Sequence, residues 1–369
     1  MIRPAGVGPA CQTDGVSSDQ AKTTTARTDW KAVAKRTVSE FLEDGGPDLA
    51  AALTYFAILS LAPMVLALST LLTFFGQSGG TQQVVEELGG QLGMQEQTIT
   101  TVNGYLGNMA DSSGSGIILV VGLLGSLWSA SNYVNAFSRM MNKVYEIDEG
   151  RPVWKLRPWL LGLTLVLIGG LMLIIFSVTL SGPVSEAIFG AVGLSGTFTT
   201  VWNIAKWPVI LLILVVIVGL LYWGTPNVRH PSFRWLSPGA ALAVLTAIVA
   251  AAGFYIYLTG FGGQDSYNGT YGAIGGVIIL LLLLYIINNV LVLGAELDAE
   301  IERGRELAAG MAAEEEILLP PRDVVGTEKK EAKQAEAVRE AREVRMQAAA
   351  ELRASGQETG LEGREDARR

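Results

Sequence analysis

The sequence has little of the chemistry on which most enzymes and disulfide-linked proteins depend. Its 369 residues include one cysteine, Cys11, and one histidine, His230. Neither an intramolecular disulfide nor a histidine-rich metal site can form from these. The sequence also lacks the glycine-rich Walker A loop that binds the phosphates of ATP, and its carboxylates form no metal-binding motif. We therefore expect no catalytic, cofactor-binding or metal-binding residues, and no cofactor.

Charge is scarce as well. Charged residues make up 17% of the chain and hydrophobic residues 50%, and the mean hydropathy is +0.36. The apolar residues lie in long uncharged blocks, such as the one from Leu49 to Phe75. Because about 20 apolar residues cross a bilayer as a helix, this pattern predicts an all-α polytopic membrane protein, located in the inner or plasma membrane of the cell.

Six such blocks predict six transmembrane helices. They are residues 49–75, 117–137, 158–180, 202–223, 238–258 and 271–293. Between the first two, apolar residues recur at helical spacing within 76–116, which predicts amphipathic helices on the outer side of the membrane.

The composition also divides the chain into four parts. Residues 1–29 are rich in Thr, Ser, Ala and Gly and predict a disordered leader. Residues 30–46 predict an interfacial amphipathic helix, with Trp30, Ala34, Thr37 and Phe41 on one side and basic residues elsewhere. Residues 47–300 form the six-helix transmembrane domain, and 301–369 form a charged, helix-prone tail.

The basic residues predict the orientation. Lys and Arg cluster in 22–36, 139–157 and 229–234, whereas 76–116, 181–201 and 260–270 contain none. Because cytoplasmic loops are enriched in Lys and Arg, both termini are predicted to be cytoplasmic. Lys206 is the exception, and its flanking tryptophans would let it reach the outer interface. The basic segments are short and lie next to the membrane, so they predict anionic lipids at the cytoplasmic face as a partner, and not nucleic acid.

Polar residues inside apolar helices are the best lead to a functional site, because polar groups in lipid are costly and usually face protein or water. The second helix places Trp128, Asn132, Asn135 and Arg139 on one face. The candidate intramembrane polar cluster is Asn132, Asn135, Arg139, Asn288, Asn289 and Glu296. The asparagines could hold helices together or line a path for a polar solute. Arg139 and Glu296 come at similar depths on helices running in the same direction, so we also predict that they pair.

Three blocks carry a resemblance to a known family. They are Ala50-Ala51-Ala52-Leu53-Thr54-Tyr55-Phe56 through Pro63, Leu127-Trp128-Ser129-Ala130-Ser131 through Tyr145, and Tyr271-Gly272 through Leu297; Ser237-Pro238-Gly239-Ala240 fits as well. As an ordered set, these resemble the YihY/virulence factor BrkB family of bacterial inner-membrane proteins, formerly labelled ribonuclease BN. The resemblance covers about residues 30 to 300. It implies six transmembrane helices and a plasma-membrane location, and the family is discussed as possible transporters.

Three functions follow from these observations. The first is transport of an unidentified solute or lipid, which requires a water-accessible cavity reaching Asn132 and Asn135. The second is a membrane scaffold whose cytoplasmic tail recruits a partner of unknown identity. The third and remote alternative is a membrane-bound ribonuclease acting in tRNA processing, but His230 lies in a short loop that favours a solvated, non-catalytic residue. A homo-oligomer is compatible with each of them.

Overall fold

The computed structural model describes residues 30–74, 116–179, 196–230, 237–260 and 275–355, with a few single positions between 96 and 104. These residues form eight long helices. They are α1 (Trp30–Glu43), α2 (Gly46–Phe74), α3 (Gly116–Val144), α4 (Val153–Thr179), α5 (Gly196–Gly224), α6 (Pro238–Gly260), α7 (Gly275–Ala308) and α8 (Val325–Ala354). Within this part of the chain, the only β pairing is an isolated antiparallel bridge between Val228 and Pro321. The predicted leader, the predicted outer amphipathic helices and the chain beyond 355 lie outside the described residues.

Four helices have the length and hydropathy needed to cross a membrane. The apolar segments are Val153–Val178, Phe198–Gly224, Pro238–Thr259 and Gly275–Ala308, in α4 to α7. The helical class and the membrane location predicted from the sequence are confirmed. The count of six spans and the cytoplasmic position of the termini stay predictions.

Helices α2 to α7 are arranged as a closed ring. Each packs against the next one in the chain, and α7 packs back against α2. The apolar core of the ring is centred on Phe137, Met140, Met141, Val292 and Ala295. One end of the ring is formed by the first turns of α2, α4 and α6 and by the last turns of α3, α5 and α7. Helix α1 also lies at this end. We call it the charged end, because most of the described charged side chains are there.

Two glycines allow α6 and α7 to touch at the charged end. A Cβ on Gly239 would lie 2.1 Å from the Gly294 main-chain oxygen, and a Cβ on Gly294 would lie 2.8 Å from the Gly239 oxygen. Asp298 tightens the same contact by accepting a 2.7 Å hydrogen bond from the Gly239 N–H. Close helix approach through small residues is typical of membrane bundles.

Helix α1 lies against the ring, and the residues of its predicted apolar side differ in burial: Thr37 is buried and Phe41 is partly buried. Val33 and Thr37 are its buried residues, whereas Trp30 is 61% exposed. Val33 and Thr37 are buried because α1 packs against α7. The solvent-accessible apolar side chains are Trp30, Val38 and Leu42.

Helix α7 is longer than the predicted sixth span. It continues without a break to Ala308, across the boundary at 300 and 301 that was predicted between the membrane domain and the tail. Ile301, Arg303 and Glu306 in this extension are buried. Helix α8, by contrast, has no buried residue. The residues between α7 and α8, 309–324, are called the connector below.

Candidate functional site

Asn288 is the centre of a hydrogen-bonded network among three helices. It lies on α7 and is 2% exposed. Its amide oxygen accepts a 2.9 Å bond from the Tyr133 hydroxyl on α3, and its amide nitrogen donates a 3.1 Å bond to the Thr54 hydroxyl on α2. Thr54 in turn donates to the Ala50 main-chain oxygen. This residue therefore holds helices together, which is one of the two roles that the sequence left open.

The other three predicted asparagines do not join this network. The Asn289 amide donates to the Tyr285 main-chain oxygen one turn earlier in the same helix. The Asn132 oxygen accepts a 3.4 Å hydrogen bond from Arg157 on α4. Asn135 is partly exposed on the same face of α3. Among the described hydrogen bonds, Asn288 is thus the one predicted asparagine that joins α2, α3 and α7, and the wider cluster stays a prediction.

The predicted pair of Arg139 and Glu296 is wrong for this conformation. No ion pair within 4.0 Å joins them among the described residues. Arg139 is exposed, and its guanidinium lies 5.3 Å from the centre of the Phe56 ring on α2. Glu296 is 2% exposed. Depth along the two helices was estimated from sequence, but the direction of each side chain depends on the neighbouring helix, and here Arg139 turns toward α2.

Glu296 faces a group of carboxylates at the charged end. Its acidic neighbours are Glu40, Asp44, Glu146 and Glu300, and we call these five residues the acid cluster. Burial raises the pKa of Asp44, and a nearby Lys143 opposes this only in part. The Glu296 Oε1 atom is buried and has no hydrogen-bond partner among the described residues.

Arg303 partly neutralises the acid cluster from one side. It lies 2.8 Å from Glu300, 3.1 Å from Glu146 and 3.9 Å from Glu40. The Arg36 side chain lies 3.9 Å from Glu300. Neither guanidinium pairs with Glu296. The cluster does not have the geometry of a metal site: within the described chain, no group of three or more such side chains is placed to hold a metal ion.

A second buried polar network was missed by the sequence analysis. The Arg151 guanidinium donates to the Ser138 hydroxyl, to the Thr225 main-chain oxygen and to both Glu149 oxygens. Glu149 also accepts a 2.9 Å bond from the Asn142 amide. The signal in the sequence was an arginine between Gly150 and Pro152 in a short loop, but nothing in the spacing reveals which helix ends it joins.

The connector is hydrogen-bonded to the loops that carry this network. The Asn227 amide nitrogen donates to the Asp148 and Asp323 main-chain oxygens, and its amide oxygen accepts from the Asp323 N–H. Arg322 donates to the Val228 and Trp223 main-chain oxygens and its guanidinium lies 5.0 Å from the centre of the Trp223 ring. The predicted start of a separate tail at 301 thus falls within a region that is firmly packed on the charged end.

A cavity of about 130 Å³ opens at the charged end, with lining residues from α5, α6 and α7. Its polar and charged lining includes Tyr145, His230, Asp298, Glu302 and Arg305. This cavity touches neither Asn132 nor Asn135. His230, which the sequence places in a solvated loop, instead packs against the Tyr145 ring, with the ring centres 5.5 Å apart.

These features define a polytopic helical membrane protein with a closed ring of helices and a charged end stabilised by buried polar groups. The family model for virulence factor BrkB matches residues 37–316. The chain belongs to this family, as the resemblance in the sequence implied.

Of three relatives of this chain, two are named as membrane proteins and one as ribonuclease-like. A ribonuclease-like protein, YfkH, from Bacillus subtilis is 28% identical over 280 residues, which cover 74% of this chain and 96% of that protein. A UPF0761 membrane protein from Aeromonas salmonicida is 27% identical over 277 residues, covering 71% of this chain and 86% of the relative. Another from Psychrobacter sp. is 24% identical over 267 residues, covering 71% of this chain but only 46% of the relative. No solved structure matches the chain significantly.

Proposed function

We propose that this protein is a membrane transporter whose substrate passes through the ring formed by α2 to α7. The observation that carries the proposal is Glu296, a carboxyl group 2% exposed, with a partnerless oxygen, facing the other carboxylates of the acid cluster. Such an arrangement does not stabilise a bundle, because a buried acid without a partner costs several kcal/mol if it is ionised. Ionisable groups at such positions in membrane bundles commonly mark the path of a substrate or ion.

The rest of the charged end is consistent with a closed state of such a path. Phe137 on α3 stacks on Tyr222 on α5 with ring centres 6.0 Å apart, and both side chains are almost fully buried. The Tyr222 hydroxyl donates to the Leu291 main-chain oxygen on α7. These contacts fill the interior of the ring next to the acid cluster, so opening would have to separate α3, α5 and α7 at this end.

A transport screen in reconstituted vesicles tests the proposal. The purified full chain is placed in liposomes loaded with a panel of amino acids, sugars, nucleosides and inorganic ions, and a fluorescent phospholipid tests lipid movement. We expect at least one of these to move faster than in empty vesicles, and the Glu296→Gln variant to slow it at least tenfold. Glu331→Gln, on the exposed face of α8, is the matched control. If no member of the panel moves, or if the Glu296→Gln variant matches the unmodified chain, the proposal is rejected.

A scaffold function has one specific observation in its favour, which is α8. This helix of 30 residues has no buried residue and leaves the connector as an exposed rod with mixed charge. The structure also shows how to test it. Removing residues 327–369 deletes α8 and keeps the connector, whereas removing 303–369 would also strip Arg303, Glu306 and Arg322 from the charged end. A scaffold should lose its cellular role in the shorter deletion, and a transporter should keep its flux.

The remote ribonuclease alternative depends only on the name of the Bacillus subtilis relative. His230 packs against Tyr145 on one side of the small cavity, and the described residues hold no metal-binding group of carboxylates. We propose that the chain is not an enzyme. Cleavage of RNA by the purified protein with a divalent metal, lost in the His230→Ala variant, would restore the alternative.

A further inference from the structure

Two arginines on the outer side of the ring have no acidic partner. Arg139 lies near the end of α3 and Arg157 lies near the start of α4. Other arginines of the charged end, namely Arg36, Arg151, Arg303 and Arg305, have a carboxylate within 4.0 Å. Within the described part of the chain, neither Arg139 nor Arg157 has one. Their guanidinium groups are instead close enough to each other for the two positive charges to repel.

Aromatic rings cover one face of each guanidinium. Arg139 lies 5.3 Å from the centre of the Phe56 ring, and Arg157 lies 5.1 Å from the centre of the Trp128 ring. Stacking of this kind holds the planar group in place and leaves the N–H bonds at its edge free to donate. Among the described residues, one Arg157 donor is engaged by a side chain, in the 3.4 Å bond to Asn132. Guanidinium groups held in this way match the oxygens of a phosphate group.

Nearby tryptophans argue that the two arginines lie at the level of the lipid headgroups. Two tryptophans nearby are accessible. Trp128 is 50% exposed, and Trp159, which follows Arg157 by two residues, is 42% exposed. Accessible tryptophans in a membrane bundle mark the interface between hydrocarbon and water. In the sequence, α3 carries no charged residue before Arg139 and α4 carries none after Arg157, so the arginines lie where the uncharged part of each helix ends. A phosphate bound there would belong to a lipid whose acyl chains run along α2, α3 and α4.

We infer that Arg139 and Arg157, with Asn132, bind the phosphate of one anionic phospholipid in the groove among α2, α3 and α4. The bound phosphate neutralises two guanidinium charges that otherwise repel, and the aromatic rings of Phe56 and Trp128 limit where the headgroup can lie. The site is on the outside of the ring, so it does not depend on the transport proposal.

Lipid binding to the purified full chain tests the inference directly. The delipidated protein in detergent is titrated with phosphatidylglycerol or phosphatidylcholine, and bound lipid is counted by native mass spectrometry while the midpoint of thermal unfolding is followed. We expect one tightly retained phosphatidylglycerol and a rise in the midpoint, with no comparable effect of phosphatidylcholine. The Arg139→Gln/Arg157→Gln variant should bind phosphatidylglycerol at least tenfold more weakly.

Three further arms make the result decisive. The Lys333→Gln/Arg339→Gln variant removes the same charge from α8 and should bind like the unmodified chain. The Arg139→Lys/Arg157→Lys variant keeps the charge but loses the planar guanidinium group. Its affinity should therefore fall between those of the unmodified chain and the glutamine variant. The lysine variant also tests the site if the glutamine variant does not fold. Inorganic phosphate should not reproduce the stabilisation. Equal binding by the glutamine variant, equal loss in the α8 variant, or full stabilisation by inorganic phosphate alone would each overturn the assignment of an anionic lipid site.

Discussion

The main-chain oxygen of Asp323 occupies the position that a side chain on Gly150 would need. A Cβ on Gly150 would lie 1.9 Å from that oxygen, and the Gly150 carbonyl accepts a 2.7 Å bond from the Gly326 N–H. The loop before α4 and the connector before α8 are therefore in direct backbone contact. This contact requires a residue without a side chain, because neither backbone can move aside without breaking other hydrogen bonds.

Gly150→Ala is expected to release the connector. Overpacking against backbone typically costs about 1 to 3 kcal/mol, so the midpoint of thermal unfolding should fall and trypsin should cut near Arg322 sooner. Gly304→Ala is the control, since a Cβ there would meet nothing within 4 Å and alanine favours the helix. An alanine variant at 150 that is as stable and as protease-resistant as the control would contradict this account of the contact.

Asn227→Ala should be more damaging, because this side chain joins two loops and is fully buried. Three hydrogen bonds to the Asp148 and Asp323 backbone would be lost and their buried partners left unpaired. At about 1 kcal/mol each, the loss in the free energy of unfolding is roughly 2 to 4 kcal/mol. Chemical unfolding in mild detergent measures it. Asn289→Ala, which loses only a bond within its own helix, should cost clearly less.

The asparagine inside the ring makes a different prediction. Asn288→Ala and Tyr133→Phe each remove the same 2.9 Å hydrogen bond, so their effects on stability should not add. We expect each variant to cost roughly 0.6 to 2 kcal/mol, as interhelical hydrogen bonds in membranes do, and the double variant to cost less than the sum. Strictly additive losses would show that the two side chains act separately. The double-mutant cycle thus tests the network without reference to any transport assay.

How much could be predicted from sequence differs between the helices and the sites. Four of the six apolar blocks are confirmed as helices long and apolar enough to cross a membrane, because hydrophobic length can be read directly from a sequence. The periodicity of α3 predicted that Asn132 and Arg139 share one face, but it could not predict the neighbours of that face. Arg139 meets Phe56 rather than Glu296, because the partner of a side chain depends on how helices rotate in the bundle.

The connector shows the other limit. Asn227 and Asp323 are 96 positions apart in the sequence and are brought together by the tertiary fold. Pro320 and Pro321 lie in the connector, which pairs with Val228 and Arg229 before α8 begins. No local pattern distinguishes a proline-containing segment that docks from one that is solvated, since both need only to interrupt a helix.

His230 gives a prediction about acid stability. Burial and, to a smaller extent, the positive charge of Arg322 together lower its pKa to about 4. Its usual value is about 6.5. The folded protein therefore prefers the neutral ring: the stability contributed by His230 is fully present above pH 6.5 and is lost as the pH falls from 6.5 toward 4. The difference in pKa corresponds to a loss of roughly 3 kcal/mol at most.

The measurement is the difference in stability between the unmodified chain and His230→Gln, followed from pH 7.5 to pH 4. Glutamine is polar and of similar length but does not titrate, so the background of other acid-sensitive groups, including Asp44, is the same in both proteins. We expect the unmodified chain to lose about 2 kcal/mol relative to the variant by pH 5, because the unfolded histidine is then charged while the folded one is still neutral. Parallel curves for the two proteins would mean that His230 titrates normally, and that its packing against Tyr145 does not exclude water from the ring.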